Sequence, residues 1–205
     1  MRYLLTFCAL AAIAPLASAQ PRHGGVFAYA GGDCGTTYVT TRPVPAYAVP
    51  QAVGTPVRQV DAGRRVEPND RSDELTVVRS PGRLVARRDL EVPEWAYFDP
   101  ARTASRAPLR IPRGTRVEVL GDAGDGYAVF RMGGAVYSGQ GTTTSGIPVD
   151  PSLVDAATRQ DFVVESFPET EVWVRLVARG GRPAAWLNTR QPGVRLVDNP
   201  EAACE

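Results

Sequence analysis

Short alternations of apolar and polar residues, separated by glycine and proline turns, run through most of this chain. The clearest alternation covers residues 115–120, and runs of β-forming residues follow it at 127–132 and 135–138. Successive side chains of a β-strand point to opposite faces, so a period of two predicts strands. Gly133 and Gly134 separate the last two runs, and glycine readily adopts the positive φ angles of a two-residue hairpin turn. We therefore predict three consecutive antiparallel strands here.

Two further hairpins are predicted on either side of this region. Residues 75–78 and 83–87 flank the sequence Ser-Pro-Gly at positions 80–82, and proline followed by glycine at the centre of a turn is typical of type II. Near the C-terminus, apolar residues alternate over 172–176 and, after a Gly-Gly pair, a second run covers 184–187. Each pair of runs is expected to form two antiparallel strands.

One short helix and one long loop complete the pattern. In residues 150–160, Asp150 can cap a helix, Pro151 suits its first position, and apolar residues share one face. Residues 91–112 contain several prolines and no period, which predicts a loop. The chain of 205 residues holds 20 glycines and 18 prolines, a composition that favours turns over long helices. The predicted fold class is all-β with one short helix.

The sequence contains a short internal repeat. Residues 60–67 (VDAGRRVE) align with residues 111–118 (IPRGTRVE) at an offset of 51 residues. Gly63 matches Gly114, and the Arg-Val-Glu that ends each segment is identical. Because internal repeats indicate repeated supersecondary units, we predict two copies of one small β-module.

These modules resemble the Src-homology-3-like barrels of exported bacterial proteins. The resemblance lies in the repeated Gly-x-Arg-Val-Glu segment, the polar glycine turn that follows it, and a strand that opens on an aromatic residue before Gly-Gly. Residues 172–189 (VWVRLVARGGRPAAWLNT) are similar to the ending of such domains, with Trp173 and Trp186 in place and Ala185 where the family usually has glycine. The resemblance implies two small Src-homology-3-like β-barrels, either sequential or interleaved.

The expected organisation follows from these elements. A signal peptide (1–19) and a flexible, glycine-rich lead-in (20–38) precede the first β-barrel unit (39–90). The second unit covers 91–139, and a linker with the short helix covers 140–159. The remaining segment is a C-terminal β-hairpin region (160–205), of which residues 160–197 either complete the first unit or stand apart from it.

The N-terminus has the pattern of a secretory signal peptide. Arg2 precedes a short apolar run, and Ala-Ser-Ala at positions 17–19 provides small residues for cleavage. We predict a periplasmic or secreted protein, with a Gram-negative source favoured and no stable membrane insertion. Cys34 and Cys204 remain after processing, and two thiols in an oxidising compartment favour a disulfide over free or intermolecular thiols.

Charge and composition exclude several functions. Removing Arg2 from the 23 basic residues leaves 22 against 22 acidic ones, so no electrostatic footprint for nucleic acid is expected. The glycine-aspartate stretch at residues 121–126 is followed by neither the lysine of a phosphate loop nor the glutamate of a calcium loop. One histidine, His23, does not suffice for a zinc site. No cofactor or metal is predicted.

Aromatic residues are the candidate binding site. Trp95, Tyr97 and Phe98 lie in the predicted loop, and Tyr127 opens a predicted strand. In barrels of this resemblance such residues line a groove for peptide or glycan chains, although small barrels also need large apolar residues to fill their cores. We therefore expect a non-enzymatic protein that binds a peptide, a partner protein or peptidoglycan.

Two alternatives remain at this point. One is a cell-envelope hydrolase that uses Cys34 or a carboxylate among Glu165, Glu169 and Glu171. The other is a purely structural envelope protein.

Overall fold

A computed structural model describes most of the chain and confirms the all-β fold class with one short helix. The described residues are 22–23, 26–30, 36–51, 54–68, 73–99, 101–103, 106–124, 126–177 and 184–198. The strands are β1 (Arg22–His23), β2 (Val26–Ala30), β3 (Thr36–Thr40), β4 (Val44–Ala46), β5 (Arg58–Val60), β6 (Arg65–Val66), β7 (Glu74–Ser80), β8 (Gly82–Ala86), β9 (Leu90–Val92), β10 (Trp95–Tyr97), β11 (Leu109–Ile111), β12 (Arg116–Asp122), β13 (Ala128–Met132), β14 (Ala135–Gly139), β15 (Phe162–Ser166), β16 (Glu169–Leu176), β17 (Ala185–Asn188) and β18 (Val194–Asp198). A 3-10 turn (Pro151–Leu153) and helix α1 (Ala156–Asp161) precede β15.

The strands form two larger sheets and three smaller ones, and within the described residues none of them closes into a barrel. A five-stranded sheet has the order β1-β2-β7-β16-β17, and a six-stranded sheet has the order β10-β14-β13-β12-β8-β15. The smaller sheets are β18-β3-β6, β4-β5 and β9-β11. Neighbouring strands are antiparallel throughout these pairings.

Two main hydrophobic cores lie beneath these sheets. The first core joins the start and the end of the chain, because β3–β6 pack with β16–β18; its buried members are Tyr38, Val44, Ala46, Val60, Val66, Val174, Leu176, Ala185 and Leu187. The second core belongs to the six-stranded sheet and to β9 and β11; its buried members are Leu84, Ala86, Leu90, Val92, Ile111, Val117, Val119, Ala128, Phe130, Tyr137, Ile147 and Phe162. The strand pairing cuts across the boundaries expected at residues 90 and 139, since β8 and β15 both belong to the six-stranded sheet.

The hairpin predicted around Pro81 and Gly82 is wrong. β7 pairs with β2 and β16, whereas β8 pairs with β12 and β15, so the chain passes from one sheet into the other at this point. Gly82 does not have the positive φ of a type II turn. Between β15 and β16 the chain returns from the six-stranded sheet to the five-stranded sheet. The result is a two-stranded ribbon, β7–β8 against β15–β16, that connects the sheets.

Gly82 allows the two halves of this ribbon to touch. A Cβ atom at this position would lie 2.7 Å from the ring Cδ and the backbone nitrogen of Pro168. Such a distance is shorter than van der Waals contact, so any larger residue forces the ribbon apart.

The segment predicted as a flexible lead-in contains β2, which is an integral strand. Ala28 and Tyr29 are fully buried, and β2 pairs with β7 from Ala28 opposite Val77 to Ala30 opposite Leu75. The Tyr29 hydroxyl donates to the carbonyl oxygen of Asp122 in the other sheet, at 3.0 Å. β2 therefore holds the two sheets together. Its glycine-rich flanks concealed it in the sequence.

The three antiparallel strands predicted over residues 115–138 are confirmed, as β12, β13 and β14. Met132 faces Ala135 across the turn, and Gly133 and Gly134 have φ of 56° and 81°. The predicted hairpin of β16 and β17 is also confirmed, although its glycine pair lies outside the described residues.

Two further expectations need correction. Residues 91–112 are not a continuous loop, because β10 lies within them and the β9–β11 pair closes them at the base. The predicted helix is split: Asp150 caps the 3-10 turn, with Pro151 in its first turn, and Asp155 caps α1 separately. Leu153 is exposed instead of packing on a shared apolar face.

The internal repeat has a matching hydrogen-bond pattern. The N–H of Gly63 donates to the carbonyl oxygen of Thr40, and the N–H of Gly114 donates in the same way to Ala86. The strands before the repeated segments also correspond, since β4–β5 and β9–β11 are both antiparallel pairs. In the part of the chain that the structure describes, no helix is long and apolar enough to cross a membrane.

Candidate functional site

Three aromatic rings converge where β10 pairs with β14. Trp95 lies opposite Gly139, and Tyr97 lies opposite Tyr137. The ring centroid of Trp95 is 5.1 Å from that of Tyr97 and 5.6 Å from that of Tyr137, and the two tyrosine rings are 5.3 Å apart. Trp95 and Tyr97 are half-buried, and Tyr137 is 9% exposed. We call Trp95, Tyr97 and Tyr137 the aromatic cluster.

The aromatic cluster rests on the second core. Phe130 stacks against Tyr137 with centroids 5.5 Å apart and an interplanar angle of 24°. Gly139 leaves room for Val92 and Phe130 beneath the cluster, because a Cβ there would lie 2.9 Å from Val92 and 3.3 Å from the ring of Phe130. The rings therefore have a fixed base and a partly open side.

Two contacts from the segment between β10 and β11 hold the outer edge of the cluster. The indole N–H of Trp95 donates to the carbonyl oxygen of Ala107 at 3.0 Å. The guanidinium carbon of Arg102 lies 5.1 Å from the ring centroid of Tyr97, within the range of a cation–π contact. Burial raises the pKa of Tyr137, Tyr97 adds to this rise, and the charge of Arg102 opposes it. Arg102 therefore contacts Tyr97, and its charge also acts on Tyr137.

The other two predicted binding residues lie outside this cluster. Tyr127 is half-buried and its hydroxyl donates to Oε2 of Glu94 at 3.1 Å, which places it beside β10. Phe98 packs instead against Tyr29, with ring centroids 5.8 Å apart, and against Phe27. Phe98 thus belongs to the contact between the two larger sheets. The sequence missed Tyr137 and Arg102, since their place depends on strand register and on a loop contact.

A buried carboxylate fixes the loop beside the cluster. The side chain of Asp161 has no exposed surface and accepts hydrogen bonds from the hydroxyls of Thr142 (2.8 Å), Thr144 (2.5 Å) and Ser145 (2.8 Å) and from Nε of Arg88 (2.7 Å). Burial acts to raise the pKa of Asp161, but these donors outweigh it and hold the pKa below its ordinary value. Residues 142–145, which belong to the predicted linker, are therefore anchored.

That loop runs along the strand leading into β10. The N–H of Thr143 donates to the backbone carbonyl oxygen of Glu91 at 3.0 Å. The N–H of Gln140 donates to the backbone carbonyl oxygen of Glu94 at 3.3 Å. Asp161 thereby positions the backbone next to Trp95 without touching the aromatic cluster.

A separate cluster on the five-stranded sheet holds a second aromatic group, in which Trp173 packs with Tyr47 and Trp186. Trp173 is fully buried, and its indole N–H donates to Oε2 of Glu171 at 2.9 Å. Arg79 and Asn188 donate to the same oxygen at 2.6 and 3.0 Å. Burial acts to raise the pKa of Glu171, but the hydrogen bonds from Arg79 and Trp173 and the charges of Arg79 and Arg190 lower it overall. Trp186 is half-buried and bridges Tyr47.

The carboxylates considered for catalysis have different surroundings. Glu165 and Glu169 are exposed on β15 and β16, and Glu171 is occupied by the three donors to its Oε2. Within the described residues, no group of three or more His, Cys, Asp or Glu side chains is arranged to hold a metal ion.

Several sequence predictions fall on parts of the chain for which there is no structural account. The signal peptide and both cysteines, Cys34 and Cys204, lie outside the described residues, as does the side chain of His23. Comparison with protein-family models, with curated proteins and with solved structures finds no match to this chain.

Proposed function

We propose that this chain is an exported, non-enzymatic binding protein of two Src-homology-3-like units. The aromatic cluster of the second unit holds an extended ligand, which is a peptide, a partner protein or cell-wall material in the periplasm. Export rests on the signal-peptide pattern of residues 1–19.

The order of strands supports the two-unit proposal. The pairing of β8 and β15 in the six-stranded sheet extends the second unit beyond the expected residues 91–139. In this extended unit β8 leads into a proline-containing segment that is closed by β9 and β11. The three strands β12–β14 follow, and the chain then returns through β15 to pair with β8. In the first unit β3 lies between β6 and the final strand β18, as β8 lies between β12 and β15 in the second unit. The resemblance in sequence and the matching order of strands both support the two-unit proposal.

The observation that carries the binding proposal is the partial exposure of Trp95 and Tyr97 over a rigid base. Tryptophan and tyrosine offer large contact surfaces at low entropic cost and dominate binding energies. Trp173, in contrast, is fully buried.

The test is a pull-down of the purified protein on peptidoglycan sacculi and on immobilised envelope proteins. Trp95→Ala is expected to weaken retention by about tenfold or more, since losing a large aromatic contact costs about 2 kcal/mol. Trp186→Ala is the matched control, because it removes an indole from the other unit. Equal retention of wild type and Trp95→Ala on every surface contradicts this proposal.

The rival hydrolase is tested on the same preparation. Sacculus digestion that is lost in Glu165→Gln or Cys34→Ser but kept in Trp95→Ala overturns the non-enzymatic assignment. Retention on no surface by a stable monomer favours the structural envelope protein.

We also propose a disulfide between Cys34 and Cys204. It is supported by the pairing of β3 with β18, in which Thr36 lies opposite Asp198. In sequence, Cys34 precedes Thr36 by two residues and Cys204 follows Asp198 by six. A bridge that closes most of the chain stabilises the fold by about 5 kcal/mol on chain-entropy arguments.

A further inference from the structure

The aromatic cluster brings three potential hydrogen-bond donors close together: the hydroxyls of Tyr97 and Tyr137 and the guanidinium of Arg102. The hydroxyls of Tyr97 and Tyr137 have no hydrogen-bond partner among the described residues, and Arg102 forms no ion pair there. The guanidinium of Arg102 lies over the ring of Tyr97, and the Tyr97 and Tyr137 ring centroids are 5.3 Å apart, so the guanidinium and the two phenols lie close together. Two O–H donors beside a guanidinium form a suitable receptor for a carboxylate.

The nearby acidic residues do not occupy this receptor. Glu94 accepts the hydroxyl of Tyr127 at 3.1 Å, and Asp99 accepts the N–H of Ala101 at 3.0 Å. On the β9–β11 ladder, Oε1 of Glu91 lies 3.6 Å from Nε of Arg110. Arg102 therefore remains available to a charge from outside the chain.

The backbone beside the cluster favours a peptide. β10 lies at one edge of the six-stranded sheet. Within the described residues, β14 is its only paired neighbour. An edge strand presents unpaired N–H and C=O groups to which an extended peptide can add. A glycan has no such repeating backbone partner.

We propose that the second unit binds an extended acidic peptide segment along β10. One glutamate or aspartate carboxylate of that segment is held by Arg102, Tyr97 and Tyr137, and an adjacent side chain lies against Trp95. This inference rests on the proposed binding function and adds the chemical class of the ligand and the residue that reads its charge.

The experiment compares two fluorescein-labelled probes by fluorescence polarisation at low ionic strength. In one peptide glutamate alternates with threonine, and in the other glutamine replaces every glutamate. The wild-type protein is expected to prefer the glutamate peptide. Arg102→Gln is expected to weaken its binding by about two- to fivefold, the effect of losing one exposed ion pair. The same variant should weaken binding of the glutamine peptide less, because that peptide has no carboxylate for Arg102 to hold.

Arg113→Gln is the matched control, because it removes the same charge from the turn at the other end of the β9–β11 ladder, where the residue is exposed. It should leave both affinities unchanged. Tyr137→Phe removes one donor and keeps the ring, so it should weaken the glutamate peptide selectively. An equal loss for Arg102→Gln and Arg113→Gln, or an equal effect on both peptides, overturns the charge-reading role.

Failure of this inference is distinguishable from failure of the proposed function. If Trp95→Ala loses both peptides while the wild type shows no preference for glutamate, the binding function stands and the acidic ligand is wrong. If Trp95→Ala, with an unchanged far-UV circular dichroism spectrum, keeps both peptides, the binding function is wrong as well. Trp95→Phe provides the same test should the alanine variant misfold. More effective competition by polygalacturonate than by unlabelled glutamate peptide, at equal carboxylate concentration, assigns the site to an anionic glycan and overturns the peptide.

Discussion

Replacing Asp161 by asparagine tests whether one buried carboxylate organises the loop beside the aromatic cluster. The carboxylate accepts bonds from three hydroxyls and from Arg88. An asparagine amide has the same shape, but it carries one acceptor oxygen and a donor group in place of two acceptor oxygens. The substitution therefore turns part of the network from donor–acceptor pairs into donor–donor contacts.

The magnitude follows from the number and exposure of the partners. Hydrogen bonds to charged groups contribute about 1.5–3 kcal/mol each. The hydroxyls can rotate to accept from the new amide, and Arg88 is 46% exposed, so solvent screens its share. We therefore expect a net loss of about 2–3 kcal/mol in the free energy of unfolding. For a domain of this size, that lowers Tm by roughly 4–12 °C.

The loss should depend on pH in a defined direction. The pKa of Asp161 is lowered in the folded protein, so its contribution to stability is fully present above the unfolded aspartate value of about 3.9 and is lost as the pH falls through the folded-state pKa. At neutral pH the full difference between wild type and Asp161→Asn should appear. In acid the wild-type side chain is protonated and resembles asparagine, so the difference should shrink.

Urea unfolding at neutral and acidic pH, followed by tryptophan fluorescence, measures both effects. Glu165→Gln is the control, because it makes the same chemical change at an exposed position on β15. The reasoning fails if Asp161→Asn and wild type unfold within about 0.5 kcal/mol of each other at neutral pH, the range typical of surface substitutions. It also fails if the difference is the same in acid.

Three other predictions follow from the packing and the chain ends. Gly82→Ala should destabilise the protein by about 1–3 kcal/mol in denaturant unfolding, because its Cβ would lie 2.7 Å from Pro168, whereas Gly146→Ala meets nothing within 4 Å and should be neutral. Tyr29→Phe should cost about 1 kcal/mol for the lost bond to Asp122 and Tyr29→Ala about 3–5 kcal/mol; equal costs would mean that the ring does not join the sheets. Alkylation of the native protein followed by mass analysis should label neither Cys34 nor Cys204, and two labels would exclude the disulfide.

The sequence predicts best where a strand and its partner are close along the chain. β12, β13 and β14 follow from alternation and from the Gly133-Gly134 turn, whose positive φ angles leave little choice of partner. The hairpin at Gly82 fails for the opposite reason. β7 and β8 find their partners many residues away, and a Pro-Gly pair cannot indicate which distant strands compete with the local turn.

The candidate site divides in the same way. Trp95 and Tyr97 are visible in the sequence because aromatic residues in a proline-containing segment stand out. Tyr137 joins them only through the register of β10 on β14. Asp161 has no local signal, since its three hydroxyl partners precede it by 16 to 19 residues and lie in a stretch whose composition suggests flexibility.

The connecting ribbon has a consequence for how this gene can be rearranged. Ser80 faces Glu169 where the chain leaves the first sheet, and Arg83 faces Ser166 where it enters the second. The chain therefore leaves and re-enters the first sheet at one place. Residues 83–166 are an insertion, the guest, at the end of the hairpin formed by β7 and β16, the host. A short turn joining Ser80 to Glu169 would excise the guest and leave the host ladder continuous. A foreign guest grafted at the same junction would need to match the two strands of the ribbon and the ring of Tyr29.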